Sequence, residues 1–183
     1  MAIHAAAKLV LPLSERDHLI GPEKAAVTLV EYGDYECPYC GQAYSVVNQL
    51  MNMFGDTLRL AYRHFPLTTV HPHAQQAAEA AEAAGVQDQF WEMHSMLYEN
   101  QDALDEESLL EYADDLGLSV EEFAGDLAEH RHAPKIQEDV TSGIRSGVNG
   151  TPTFFINDLR HDGSFDLETL AAAITDATEA IRR

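Results

Sequence analysis

The spacing of apolar residues changes character several times along this chain, and each change marks a new element. Val27-Thr28-Leu29-Val30 opens a nearly unbroken apolar run to Tyr32, the pattern of a buried central strand. Cys40, Ala43, Val47, Leu50 and Phe54 then recur at steps of three and four, with Gly55 as a stop signal, so a helix follows at once. Leu58, Leu60 and Tyr62 alternate with Arg59, Ala61 and Arg63, a period-two strand closed by Pro66. Ahead of these, Ala7 to Leu11 reads as a short opening strand and Asp17 to Pro22 as a polar turn.

From His71 to Gly147 the period is helical almost throughout. Ala74 to Ala84 forms one segment, stopped by Gly85; Phe90, Met93, His94 and Leu97 mark the face of a second. Leu109, Ala113 and Leu116 mark a third, ended by Gly117. Ser119-Val120-Glu121-Glu122 is a capping box opening a fourth, and Ile136, Val140 and Ile144 stripe a fifth after Pro134. Strand character returns at Thr153 to Ile156. Asn157-Asp158 reads as a tight turn into Leu159-Arg160-His161, and Asp166 caps a last helix with Leu167, Leu170, Ile174 and Ile181 on its face. The order is β–α–β, a helical block, then β–β–α. Residues 1–65 and 148–183 therefore read as one discontinuous α/β core, with 66–147 as an inserted helical domain packed on the sheet.

The 183 residues, 45% of them hydrophobic, suffice for a real core. No apolar run approaches the roughly 20 residues of a membrane span. Met1 to Leu13 shows no basic region ahead of a long apolar one, so the chain reads as cytoplasmic. Net charge is −20, from 31 acidic and 11 basic residues, and such a field argues against nucleic acid and anionic membranes as partners. Only Lys8, Lys24 and Lys135 are lysines. That composition fits an ordinary acidic surface and also fits adaptation to high salt.

The chemistry lies in Cys37-Pro38-Tyr39-Cys40, which holds both cysteines of the chain. Pro38 suits the first position of a helix, where its missing N–H costs nothing. Cys37 then sits at the helix N-terminus, where free N–H groups and the dipole favour a thiolate. Cys40 lies one turn on, in line with the buried stripe, so one sulfur is expected to face outward and the other inward. That arrangement suits thiol–disulfide exchange. The spacing also suits zinc, with His64, His71 or His73 completing the ligands. Histidines at a helix start such as His71-Pro72-His73 more often cap or stay solvated. His94 sits on an apolar face and reads as a core or half-buried histidine, with Phe90 and Trp91 as core or groove-lining rings.

Val27 to Cys40, His64-Phe65-Pro66-Leu67, His71-Pro72-His73-Ala74 and Gly147 to Ile156 together resemble the DsbA-like branch of the thioredoxin-fold oxidoreductases, in its cytosolic-type bacterial form. The resemblance spans roughly Asp17 to the C-terminus. It implies a thioredoxin fold with a helical insertion between the two halves of the sheet, and a thiol- or disulfide-containing protein or small molecule as substrate. No cofactor and no metal are implied. By the same resemblance Cys37 is the attacking nucleophile and Cys40 its resolving partner. Pro152 is a cis-proline facing them, with Thr151 offering backbone groups to the substrate beside Pro38 and Tyr39. Glu31 matches a buried acid that exchanges protons with the inner cysteine. DsbA itself carries Pro-His between its cysteines; Pro-Tyr here, with Asp34 and Glu36 close by, implies a less oxidising centre. Glutaredoxins also use Cys-Pro-Tyr-Cys, so a glutathione-linked reductase is a second reading, although the chain is much longer than theirs. A metal- or partner-binding module is the reading from another class.

Overall fold

The structure, a computed structural model, describes residues 7–181. In chain order the elements are β1 (His18–Ile20), β2 (Val27–Gly33), α1 (Pro38–Phe54), a 3-10 turn at Gly55–Thr57, and β3 (Leu58–His64). Five helices follow: α2 (Ala74–Val86), α3 (Phe90–Glu99), α4 (Glu106–Asp115), α5 (Val120–Ala128) and α6 (Ala133–Arg145). The chain then returns through β4 (Thr153–Ile156), β5 (Leu159–Arg160) and α7 (Leu167–Ile181).

The five strands form one mixed sheet in the order β1-β3-β2-β4-β5. β2 and β3 run parallel, from Val27↔Leu58 to Gly33↔His64, and α1 is their crossover. β4 lies antiparallel on the other side of β2, with Glu31 opposite Phe154 and Tyr32 opposite Thr153. This register sets Pro152, one residue before β4, level with Gly33 at the end of β2 from which the cysteine loop departs. All seven residues of β2 are buried, as the unbroken apolar run anticipates for a strand covered on both faces. On one face Val27 and Leu29 pack with Ala43, Val47 and Leu50 of α1 and with Leu170 and Ile174 of α7. On the other Val30 and Tyr32 pack with Ala61, Phe65, Val148 and Phe155. A third cluster joins Tyr35, Cys37 and Cys40 to the interior of α2–α5.

Five expectations need correction. Residues His18–Ile20, read as part of a turn, form β1 against β3, while the expected Ala7–Leu11 strand reduces to a single bridge from Lys8 to Leu159. Edge pairing makes a strand of a short, largely exposed segment because its backbone, not its side chains, makes the bonds. Alternation in β3 also misleads, because Ala61 and Arg63 are buried too. The Arg63 guanidinium is accommodated by Asp17, at 2.7 and 3.1 Å, by the carbonyls of Leu11 and Pro12, and by the Tyr32 hydroxyl. On α6 the buried face is Ile136, Asp139, Ser142 and Gly143, and Ile144 is exposed. The helix is rotated so that Gly143 meets the rings of Phe65 and Tyr32, where a Cβ would lie 2.9 and 3.0 Å from ring atoms. On α7 Ile181 is exposed and Thr178 is the last buried position. The first six residues, part of the stretch read for a leader, lie outside the described residues.

Candidate active site

β2 ends at Gly33 against a pair of buried tyrosines. A Cβ there would lie 2.6 Å from the Tyr62 ring and 2.8 Å from the Tyr98 hydroxyl, so only glycine lets the strand approach this closely. The chain then turns: the Cys37 N–H bonds the Asp34 carbonyl at 3.1 Å, and Cys37 becomes the N-cap of α1 with Pro38 next. Cys37 has no side-chain cap bond of its own. Pro38 and Tyr39 are exposed on the outer side of this turn.

The two cysteines are free thiols 3.8 Å apart. Cys40 is fully buried, but Cys37 is only 3% exposed, less open than its helix-start position suggests. The reason is tertiary. The segment before β4 folds over it, and the Cys37 thiol donates to the Thr151 carbonyl at 3.6 Å. The Thr151–Pro152 peptide is cis.

The environment drives the two thiols apart. The Cys40 thiol bonds the Cys37 sulfur and, against the opposing effect of burial, lowers the Cys37 pKa to about 5; Thr151 and the backbone N–H groups of Cys40 and Tyr39 add to this. Cys40 goes the other way: burial first, then its bond to Cys37 and the nearby Glu31, hold it protonated. Glu31 is 2% exposed, and its Oε1 has no hydrogen-bond partner. Burial, with the Cys37 charge behind it, raises the Glu31 pKa to about 8. Glu31 also borders a cavity of about 440 Å³ between α1 and α3, lined by Tyr44, Asn48, Trp91, His94 and Ser95 among others. His94 is the buried core histidine expected: burial lowers its pKa to about 3, and its Nδ1 lies 3.0 Å from the Tyr35 hydroxyl.

Three anchors of the cysteine loop escaped the sequence reading. The buried Asp34 carboxylate accepts from the Glu36 and Leu67 N–H groups, both at 2.8 Å, and lies 2.7 Å from His71 Nδ1. Glu36 accepts from the His73 N–H at 2.6 Å and lies 2.9 Å from its Nδ1. Gln101 Nε2 donates to the Tyr35 and Cys37 carbonyls at 2.8 and 2.9 Å. A signal existed for the first two: acids two apart at 34 and 36 match histidines two apart at 71 and 73. His73 is the exposed N-cap residue of α2, without a side-chain cap bond, and both histidines are in addition engaged by carboxylates of the cysteine loop. Gln101 carried no signal, since one glutamine in a loop is indistinguishable from many.

The histidines weighed as zinc ligands are spent on carboxylates, His64 on Glu82 at 2.8 Å and the other two on Asp34 and Glu36. Among the described residues, one group offers clustered ligand atoms, His64, Glu82 and Asp139, within 4.8 Å of one another, and no cysteine belongs to it.

The chain matches the thioredoxin family over residues 13–176. Among solved structures it resembles BdbD from Bacillus subtilis, with a TM-score of 0.84 at 22% identity, covering 96% of this chain and 98% of that one. A thioredoxin-like oxidoreductase from Silicibacter pomeroyi gives 0.75 at 28% identity, covering 92% and 94%. Wolbachia pipientis alpha-DsbA1 gives 0.80 at 22%, covering 95% and 96%. A curated relative named Na(+)/H(+) antiporter NhaA 1, from Salinispora arenicola, is 51% identical over 175 residues, which is 95% of this chain but 27% of that protein. The chain spans about a quarter of the length of such relatives, so the antiporter name is said of much longer proteins. No helix among the described residues is long and apolar enough to cross a membrane.

Proposed function

The chain belongs to the thioredoxin family, with the fold of DsbA-type thiol–disulfide oxidoreductases, and on that premise we propose that it exchanges disulfides through Cys37 and Cys40. One observation carries the reading: two thiols 3.8 Å apart with opposite polarisation, Cys37 held towards thiolate and Cys40 towards thiol. The Cys37 thiolate attacks a substrate disulfide. A new sulfur–sulfur bond forms, the substrate bond breaks, and the departing substrate sulfur takes a proton from solvent. Cys40 then loses its proton and attacks Cys37. That step closes the internal disulfide and releases the reduced substrate.

Glu31 is the proposed acceptor of the Cys40 proton. In the resting dithiol the Cys37 charge helps keep Glu31 protonated. Forming the mixed disulfide removes that charge, so Glu31 becomes more acidic at the step that requires a base, while burial still raises its pKa. The cavity that Glu31 borders would give the proton a way to water. The Thr151 carbonyl, just ahead of β4, accepts from the Cys37 thiol, and Thr151 with Pro152 would present backbone to an incoming polypeptide beside exposed Pro38 and Tyr39.

The test is a trap. Cys40→Ser should accumulate a mixed disulfide with a disulfide-bearing peptide, and Cys37→Ser should form none. Absence of the adduct in both variants would sink the reading. Equilibration of the wild-type chain in glutathione buffers would set its reduction potential and so its working direction.

A further inference from the structure

Pro-Tyr between the cysteines leaves the thiolate without a basic neighbour in sequence, and Asp34 and Glu36 crowd the same loop with negative charge. The fold brings a basic group to this place from 34 residues beyond Cys37. We propose that His71, held on the buried Asp34 carboxylate, is a positioning residue for Cys37: it fixes the loop that carries the nucleophile and supplies the positive charge that favours its thiolate. The proposal rests on Cys37 being the reactive thiol of an exchange reaction.

The geometry carries it. The Asp34 side chain is fully buried and that of His71 is 19% exposed, with Nδ1 and Oδ2 at 2.7 Å, a length typical of a charge-assisted bond. The same Oδ2 takes the Leu67 N–H, and Oδ1 takes the Glu36 N–H. One carboxylate thus gathers β2's exit, the segment after β3 and His71 at a single point. Its main-chain carbonyl holds the Cys37 N–H, so any movement of Asp34 moves the nucleophile. A buried carboxylate without a counter-charge would repel a thiolate on the same loop, and His71 removes that cost. Burial opposes the charge on His71, but the hydrogen bond and charge of Asp34, then Cys37 and Glu36, outweigh it and raise its pKa. Those three are the charged groups that act on it, and His73, two residues on, is engaged by Glu36.

Coupling of this kind is reciprocal. If His71 favours the Cys37 thiolate, the thiolate favours the imidazolium by the same factor. Oxidation to the Cys37–Cys40 disulfide abolishes the thiolate, so the His71 titration midpoint should fall. Histidine ring NMR on the reduced and the disulfide forms of the wild-type chain reads this directly. His132, bonded to Asp126 on the helical side, serves as the control that should not move. Equal His71 midpoints in the two redox forms would overturn the proposal.

A second arm uses alkylation of Cys37 against pH. His71→Asn keeps a donor for Asp34 but loses the charge. It should lower the rate at about pH 4 by roughly three- to tenfold, the loss of thiolate expected when the midpoint rises by half a unit to one unit. His71→Lys should recover most of that rate. A structural role alone would instead lower the melting temperature of both variants and leave the alkylation midpoint in place. If wild-type Cys37 couples to His71 yet transfers no disulfide, the functional reading falls and this one stands. If exchange proceeds and the midpoints ignore His71, the reverse holds.

Discussion

At the scale of single residues, the site works by setting like groups in unlike surroundings. Cys37 and Cys40 differ by one helical turn, yet one is lowered to about 5 and the other is held as a thiol. Iodoacetamide at pH 6 should therefore modify the wild-type chain and Cys40→Ser quickly and Cys37→Ser hardly at all, as followed by intact mass. Reaction in Cys37→Ser but not in Cys40→Ser would reverse the assignment. Glu31 allows a sharper test because its folded pKa, about 8, lies above its unfolded value near 4.5. Between those values the folded state holds the extra proton, so Glu31's contribution is full below about pH 4.5 and is lost as pH rises through 8. Glu31→Gln removes that loss. Its melting temperature should match the wild type at pH 4 and exceed it at pH 9, a crossover that differential scanning calorimetry reads. The same variant should slow resolution of the mixed disulfide near neutral pH while sparing the first attack. Cys37, Cys40, Pro152 and Glu31 could all be picked out from the sequence as candidates. The carboxylate–histidine pairs around them left only the matched two-residue spacing of 34/36 and 71/73, since nothing local ties Asp34 to His71.

At the scale of elements, α1 is the best-read part of the molecule. Its apolar step, its proline at the start and its glycine at the end all agree with the observed Pro38–Phe54, with Cys40, Ala43, Val47 and Leu50 buried. Ser119 and Asp166 cap α5 and α7 by accepting from the N–H groups of Glu122 and Thr169, at 3.4 and 2.9 Å, as their positions suggested. What the period could not fix was orientation: α6 turns a polar face inward, because Asp139 takes the His64 N–H and Ser142 pairs with the Tyr32 hydroxyl. The close approach of β2 to the tyrosines yields an element-scale prediction. Gly33→Ala forces a methyl group into Tyr62 and Tyr98, and overpacking of this kind costs about 1–3 kcal/mol. Urea unfolding should show that loss, with slower exchange because the strand end carries the cysteine loop. An unchanged midpoint would mean that β2 has slack here.

At the scale of the whole molecule, a net charge of −20 sets the balance of forces. With three lysines, the chain engages its acids partly through histidines, as in His18–Glu82, His130–Glu79 and His132–Asp126. Residual repulsion among the remaining carboxylates opposes compaction, and salt screens it over about 10 Å at 0.1 M. The melting temperature should rise from dilute buffer to molar potassium chloride by more than for a charge-balanced domain of similar size. A flat response would leave an ordinary acidic surface as the better account and remove the high-salt reading.

The sequence by itself determined the order of elements from β2 onward, the buried character of β2, the helix that carries the dithiol and the identity of the two thiols. These follow from short-range rules: apolar period, caps, and the stereochemistry of proline and glycine act within a few residues and are written locally. Only the tertiary structure decided how closed Cys37 is, which face α6 buries, that Arg63 is interior, and that His71, His73 and Gln101 hold the cysteine loop. Each of these depends on a partner dozens of residues away. Burial and electrostatic partnership are properties of the packed chain, and one sequence does not record which distant groups will meet.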